Sequence, residues 1–160
     1  MKVEAQKEHR WLHRLVGEWT YEAECSAEPG KPAARYGGSE SVRSVGDFWI
    51  VAEGRGEMPG GGTASIIMTL GFDPLKQRYV GTWVGSMMSN LWIYDGAIDT
   101  AGNVLSLDAE GPCMSGSGKM ARYQDVIEVK GDNHRVLSAR IMRDNGTWDE
   151  FMRADYRRWG

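Results

Sequence analysis

The apolar positions of this chain follow two rhythms, and the change between them falls at Gly17. Before it, Trp11 and Leu15 recur four apart, as do Leu12 and Val16, while Lys7, Arg10 and Arg14 lie towards the other side. That spacing predicts a helix over residues 4–16, ended by Gly17. After Gly17 the period is two. Trp19, Tyr21, Ala23 and Cys25 alternate with Glu18, Thr20, Glu22 and Glu24, which is the pattern of a strand with one dry and one wet face.

The same reading predicts strands over 35–45, 48–58, 64–72, 77–87, 91–98, 104–110, 119–130, 135–143 and 148–157. Turn-forming residues separate them, among them Pro59 to Gly62, Asp73 to Lys76 and Gly131 to Asn133. Asn145-Gly146 is the strongest hairpin signal, because both residues tolerate positive φ. Ten strands with no helix between them exclude parallel βαβ units. A meander of that length has two edges to protect, and closing the sheet removes both. The expected fold is therefore all-β: an antiparallel up-and-down barrel of about ten strands with a short N-terminal helix across one end. Residues 1–16 form the helix and 17–158 the barrel, in a single domain of 160 residues. A two-sheet sandwich is the alternative.

Composition narrows the function classes. Seven Trp and nine Met supply enough apolar surface for a core without a disulfide or a metal. The formal net charge of −3 provides no basic footprint for nucleic acid and no polybasic anchor for an anionic membrane. Two cysteines, Cys25 and Cys113, do not make a disulfide framework and read as reduced thiols. Met1 to Gln6 is polar, and no apolar run is long enough to span a bilayer, so a cytoplasmic protein is expected.

Gly17-Glu18-Trp19, a Gly-x-Trp opening the first strand after a short helix, resembles the start of lipocalins and other calycin barrels. That resemblance implies that Trp19 closes one barrel end under an arginine of the last strand, with Arg153 and Arg157 as candidates. A longer set is more specific. Gly71-Phe72-Asp73-Pro74, Tyr79-Val80-Gly81-Thr82-Trp83, Ser86-Met87, Gly111-Pro112 and Asp155-Tyr156-Arg157 are similar in order and spacing to a bacterial family of unknown function, number 1579. The resemblance runs from Leu15 to Arg158 and implies a calycin-like barrel of the lipocalin and fatty-acid-binding-protein kind. It brings no catalytic residue with it.

Alternation then assigns faces. Arg78 belongs outside, which sends Tyr79, Gly81, Trp83, Gly85 and Met87 inward. Ile66, Met68, Leu70 and Phe72 share an inner face. Trp92 and Tyr94 share one face of the sixth strand, but Leu91 and Ile93 on the other are apolar too, so a one-residue slip would exchange them. In the last strand Trp148, Glu150, Met152 and Tyr156 oppose Asp149, Arg153, Asp155 and Arg157. Inward polar candidates are Glu40, Asp125, Arg140 and Glu150. For Arg140 the competing placement is outside, with Leu137, Ala139 and Ile141 forming the inner face. Glu53, Arg55 and Glu57 read as a solvated face.

No metal or cofactor is expected. His9 and His13 are four apart on the helix but lack a third ligand, and read as a surface pair. His134 stands in a turn, a poor place for an axial haem ligand. Gly116-Ser117-Gly118-Lys119 fails as a phosphate loop, because Cys113 replaces the first Gly and Met120 follows the Lys. Three functions remain. The leading one is a small hydrophobic or amphipathic ligand held over Tyr79, Trp83, Met87, Trp92 and Tyr94, with Arg140 and Glu150 as polar contacts. The second is a homodimer through outward Val80 and Val84. The third is a cyclase- or isomerase-type enzyme using Glu150 or Asp125 with a tyrosine as acid and base.

Overall fold

A computed structural model describes residues 3–26, 32–113 and 116–160. One helix, α1 (Lys7–His13), precedes ten strands: β1 (Gly17–Cys25), β2 (Ala34–Val45), β3 (Trp49–Glu57), β4 (Thr63–Asp73), β5 (Arg78–Gly85), β6 (Trp92–Ile98), β7 (Val104–Pro112), β8 (Met120–Gly131), β9 (His134–Met142) and β10 (Trp148–Arg158). Each strand pairs antiparallel with its neighbour in sequence, and β1 pairs with β10 to close the barrel. The closure runs from Trp19 opposite Arg158 to Cys25 opposite Met152. The expected up-and-down barrel is therefore the observed fold, and no open sandwich edge remains. No helix among the described residues is long and apolar enough to cross a membrane.

The helix is shorter than its apolar spacing suggested. Beyond His13 the chain tightens, with Leu15 N–H donating to the Leu12 carbonyl at 3.0 Å and Val16 N–H to His13 at 3.2 Å. Gly17, at φ 144°, then turns the chain into β1. The carbonyls left over at the helix end find side-chain donors. Trp19 Nε1 donates to Leu15 at 2.9 Å, and the Arg158 guanidinium donates to Val16 and Arg14. At the Asn145-Gly146 hairpin Gly146 takes φ 83° while Asn145 does not go positive, so the turn is longer than the two-residue type.

Helix α1 plugs one end of the barrel. Trp11, Leu12 and Leu15 pack down onto Trp19, Phe72, Tyr79 and Leu105 in one buried cluster. His9 belongs to this plug and not to the surface, where the sequence reading placed it. It is 2% exposed; Nδ1 accepts the Gln6 N–H at 2.9 Å and Nε2 donates to the Phe72 carbonyl at 3.0 Å. Both nitrogens serve the backbone, and the ring stands edge-on to Phe48 and Phe72. A buried imidazole needs both partners, and helical periodicity alone does not reveal them.

Two further assignments are corrected. The arginine over Trp19 is neither Arg153 nor Arg157, both of which face out. Arg158 lies 4.3 Å from the Trp19 ring centroid, and Arg135 of β9 lies 4.6 Å away. In β10 the register shifts between Glu150 and Met152, a β-bulge that inserts one residue. The bulge reverses parity, so Trp148 and Glu150 point outward while Met152, Ala154 and Tyr156 point inward. Exposed apolar groups on the outer wall include Val84, Ile67 and Ile93, while Val80 is half-buried.

Candidate functional site

From the helical plug to the opposite mouth, inward side chains become smaller on several strands. In β7 the sequence of inner residues is Leu105, Leu107, Ala109, Gly111. In β9 Leu137 gives way to Ala139, in β10 Tyr156 to Ala154, and in β3 Ile50 and Ala52 to Gly54. Large buried residues fill the plugged half, whereas small ones leave the other half hollow. The result is a cavity of 310 Å³ that opens at the end opposite α1. Its inner end is lined by Met68, Tyr94, Asp125 and Leu137, and Leu70, Leu107 and Ile127 belong to the buried core cluster beyond it.

The wall is aromatic. Trp83 and Trp92 are cross-strand partners in β5 and β6. Trp92 stands edge-on to Tyr123 with centroids 4.8 Å apart, and Tyr123 is edge-on to Phe151 at 6.1 Å. Tyr21 and Tyr156 lean together at 5.1 Å on the far side. Glycines let these rings lie flat on the sheet: a Cβ at Gly111 would stand 2.1 Å from Trp92 Cη2, and one at Gly85 would stand 2.6 Å from Trp83 Cη2. The glycine beside Trp83 therefore seats the ring and does not by itself open the cavity.

Two polar constellations touch this space. Tyr94 donates its hydroxyl to Asp125 Oδ2 in a short hydrogen bond at the floor. Burial pushes the Asp125 carboxyl from its ordinary 3.8 up to about 6, with the Tyr94 hydrogen bond pulling part of the way back. The second is a buried ion pair of Arg135 with Glu40. The Arg135 guanidinium is stacked between Trp19 and Tyr156, 4.0 Å from the latter's centroid, behind the cavity wall. Burial raises the phenols of Tyr94 and Tyr156 well above 10, helped by Asp125 and Glu40 respectively, and burial raises Tyr36 to about 12. The hydroxyls of Tyr36, Tyr94 and Tyr156 are thus neutral throughout the physiological range. Burial also raises the thiol of Cys25, which lines the cavity and forms no disulfide.

Of the residues singled out from sequence, Trp83, Met87, Trp92 and Tyr94 line the cavity. The slip that left the sixth strand ambiguous is resolved with Trp92 and Tyr94 inside. Tyr79 faces inward but belongs to the plug, packed against Trp11 and Phe72 with its hydroxyl 3.4 Å from the Glu8 carbonyl. Arg140 and Glu150 belong to barrel strands but do not line the cavity. Arg140 bonds Gln124 on the outer wall and covers Trp148 at 5.1 Å, and Glu150 is exposed beside Arg153. Leu137 and Ala139 take the inner side of β9 because Arg140 alternates with them, and the bulge turns Glu150 out. Of the two carboxylates offered as acid–base groups, Asp125 faces the cavity.

The sequence reading missed Arg135, although it shares the parity of Leu137 and Ala139. It missed Phe151 because the bulge was invisible. The tapering of inner side chains on β3, β7, β9 and β10 was a legible signal for the hollow half. No group of three His, Cys, Asp or Glu among the described residues is placed to hold a metal.

Solved structures share this architecture. The chain is similar to Rv2717c from M. tuberculosis, with a TM-score of 0.68 at 12% identity over 98% of this chain and 100% of that one. It is similar to the S-type phycobiliprotein lyase CPES from Guillardia theta, with a TM-score of 0.60 at 13% identity over 97% and 98%. A barrel named EF1p2_mFAP2b, solved bound to DFHBI, matches with a TM-score of 0.52 at 10% identity over 96% and 100%. At such identities the likeness concerns the fold alone. No curated protein matches the chain. The sequence itself is more decisive, since one family model spans residues 4–158, and by that match the chain belongs to the family described as Protein of unknown function (DUF1579).

Proposed function

We propose that this protein binds a small, largely apolar molecule in the open half of its barrel. The observation that carries this is the aromatic-walled cavity of 310 Å³, made by small inward residues where the other half of the barrel carries leucines and isoleucines. Packing such a hollow solid would have needed a few larger side chains, and cavities cost stability. A hollow kept open at that cost, ringed by Trp83, Trp92, Tyr123 and Phe151, has the size and lining of the smaller ligand pockets, which start at about 300 Å³. Two structures of similar fold support the reading: one barrel was solved with DFHBI, and another is a phycobiliprotein lyase.

The test uses a neutral lipophilic dye, N-phenyl-1-naphthylamine, followed by fluorescence enhancement and confirmed by native mass spectrometry of the protein as purified. The wild-type protein is expected to bind it. Ala109→Leu fills the cavity from β7 opposite Tyr123 and is expected to weaken binding at least tenfold while the barrel's circular dichroism is unchanged. A folded wild-type protein that leaves the dye dark, or an Ala109→Leu protein that binds equally well, would reject the proposal.

A further inference from the structure

The charges around the cavity are one-sided. Asp125, Glu40 and Glu57 are among its lining residues, and no Lys, Arg or His is among the described lining residues. Glu40 has its counter-charge in Arg135, and Glu57 stands exposed at the rim. Asp125 is different. Its partner is the neutral Tyr94 hydroxyl, and no cation among the described residues pairs with it. The cavity floor therefore carries one carboxylate that protein charge does not balance.

Two of the cavity's hydroxyls are already committed to protein acceptors. The Tyr94 hydroxyl is spent on Asp125, and the Tyr123 hydroxyl donates to the Pro112 carbonyl at 2.6 Å. What the wall does offer is ring faces and edges from Trp83, Trp92 and Tyr123, whose π clouds attract positive charge. An uncompensated carboxylate within an aromatic enclosure is complementary to an organic cation, and in a low-dielectric space that complementarity is strong. An anionic ligand would place like charge beside Asp125. A neutral one would leave the carboxylate desolvated without a counter-ion.

We propose that this cavity selects cationic amphiphiles: protonated or quaternary amines whose charged head reaches Asp125 at the floor while an aromatic or aliphatic body fills the Trp83–Trp92 wall. The proposal rests on the binding reading above and adds the chemical class of the ligand.

The experiment compares three ligands on one skeleton by isothermal titration calorimetry at pH 7.5: 1-naphthylmethylammonium, 1-naphthylmethanol and 1-naphthoate. The expected order is ammonium at least tenfold tighter than alcohol, with the carboxylate weakest. In Asp125→Asn the ratio of ammonium to alcohol affinity is expected to fall to about one. Equal affinities for the three ligands in the wild-type protein would overturn this inference, as would a preference for the ammonium that survives in a folded Asp125→Asn protein. The two levels are separable. If the alcohol and the neutral dye bind but the ammonium binds no better, the charge selection fails and the cavity's binding role stands. If none of these probes binds, both fail together.

Discussion

Single side chains decide the chemistry of this interior. Asp125 is held in a site that disfavours its charge, and the consequence for stability has a definite sign. Its folded pKa of about 6 lies above the ordinary 3.8, so between these values the folded form binds more protons than the unfolded one. Stability from this group falls as pH rises through that window and stays low above it. Asp125→Asn, which still accepts from Tyr94, is expected to match wild type near pH 4 and to exceed it at pH 7.5 by up to about 3 kcal/mol. Urea denaturation at the two pH values measures this; equal stabilities at pH 7.5 would mean the carboxylate is not strained. The Arg135–Glu40 pair, by contrast, balances its own charge. Arg135 is 4% exposed and Glu40 12% by side chain, so Arg135→Met would strand a buried charge at a cost of roughly 3–5 kcal/mol. Adding Glu40→Gln to it should recover a large part. A double variant as unstable as the single one would show that stacking on Trp19 and Tyr156, and not the ion pair, is what Arg135 supplies. Neither partner was legible as one of a pair, because residues 40 and 135 meet across the barrel and not along the chain.

Elements carry the cavity's shape. The predicted strands coincide with the observed ones to within a few residues, since alternation is a local property that the chain displays openly. Where alternation was interrupted, the reading failed. The single extra residue of the β10 bulge turned Glu150 and Trp148 outward and brought Phe151 to the cavity. A strand's contact with its neighbour also matters at this scale. Gly111 of β7 is the seat of the Trp92 ring, and its Cβ would fall 2.1 Å from that ring. Gly111→Ala is expected to cost about 1–3 kcal/mol through overpacking. It should also push Trp92 into the cavity and lower affinity for N-phenyl-1-naphthylamine. An unchanged dye titration would show that Trp92 has another place to go. Helix α1 is held mainly by what it buries, because seven residues are too few for a stable isolated helix. Leu12 has no exposed surface, and Leu12→Ala is expected to destabilise the protein by about 2–5 kcal/mol in the same denaturation assay.

At the scale of the whole molecule, closure between β1 and β10 is the event on which everything else depends. It joins the first strand to the last, and it brings Arg158 over Trp19 and back to the helix carbonyls. Removing residues 148–160 would leave β1 and β9 as open edges, and such edges template association. The truncated protein is expected to scatter light as an aggregate at micromolar concentration; a monodisperse truncated barrel would show that the sheet closes without β10. The sequence by itself determined the local order: one short helix, ten strands, their turns and most of their faces. These follow from periodicity and turn chemistry, which act between residues a few positions apart. Tertiary structure alone decided that Arg135 meets Glu40, that Asp125 has no cation partner among the described residues, and that one half of the barrel is filled and the other hollow. Those outcomes depend on which side chains face each other across the closed sheet, and no spacing along the chain encodes that distance.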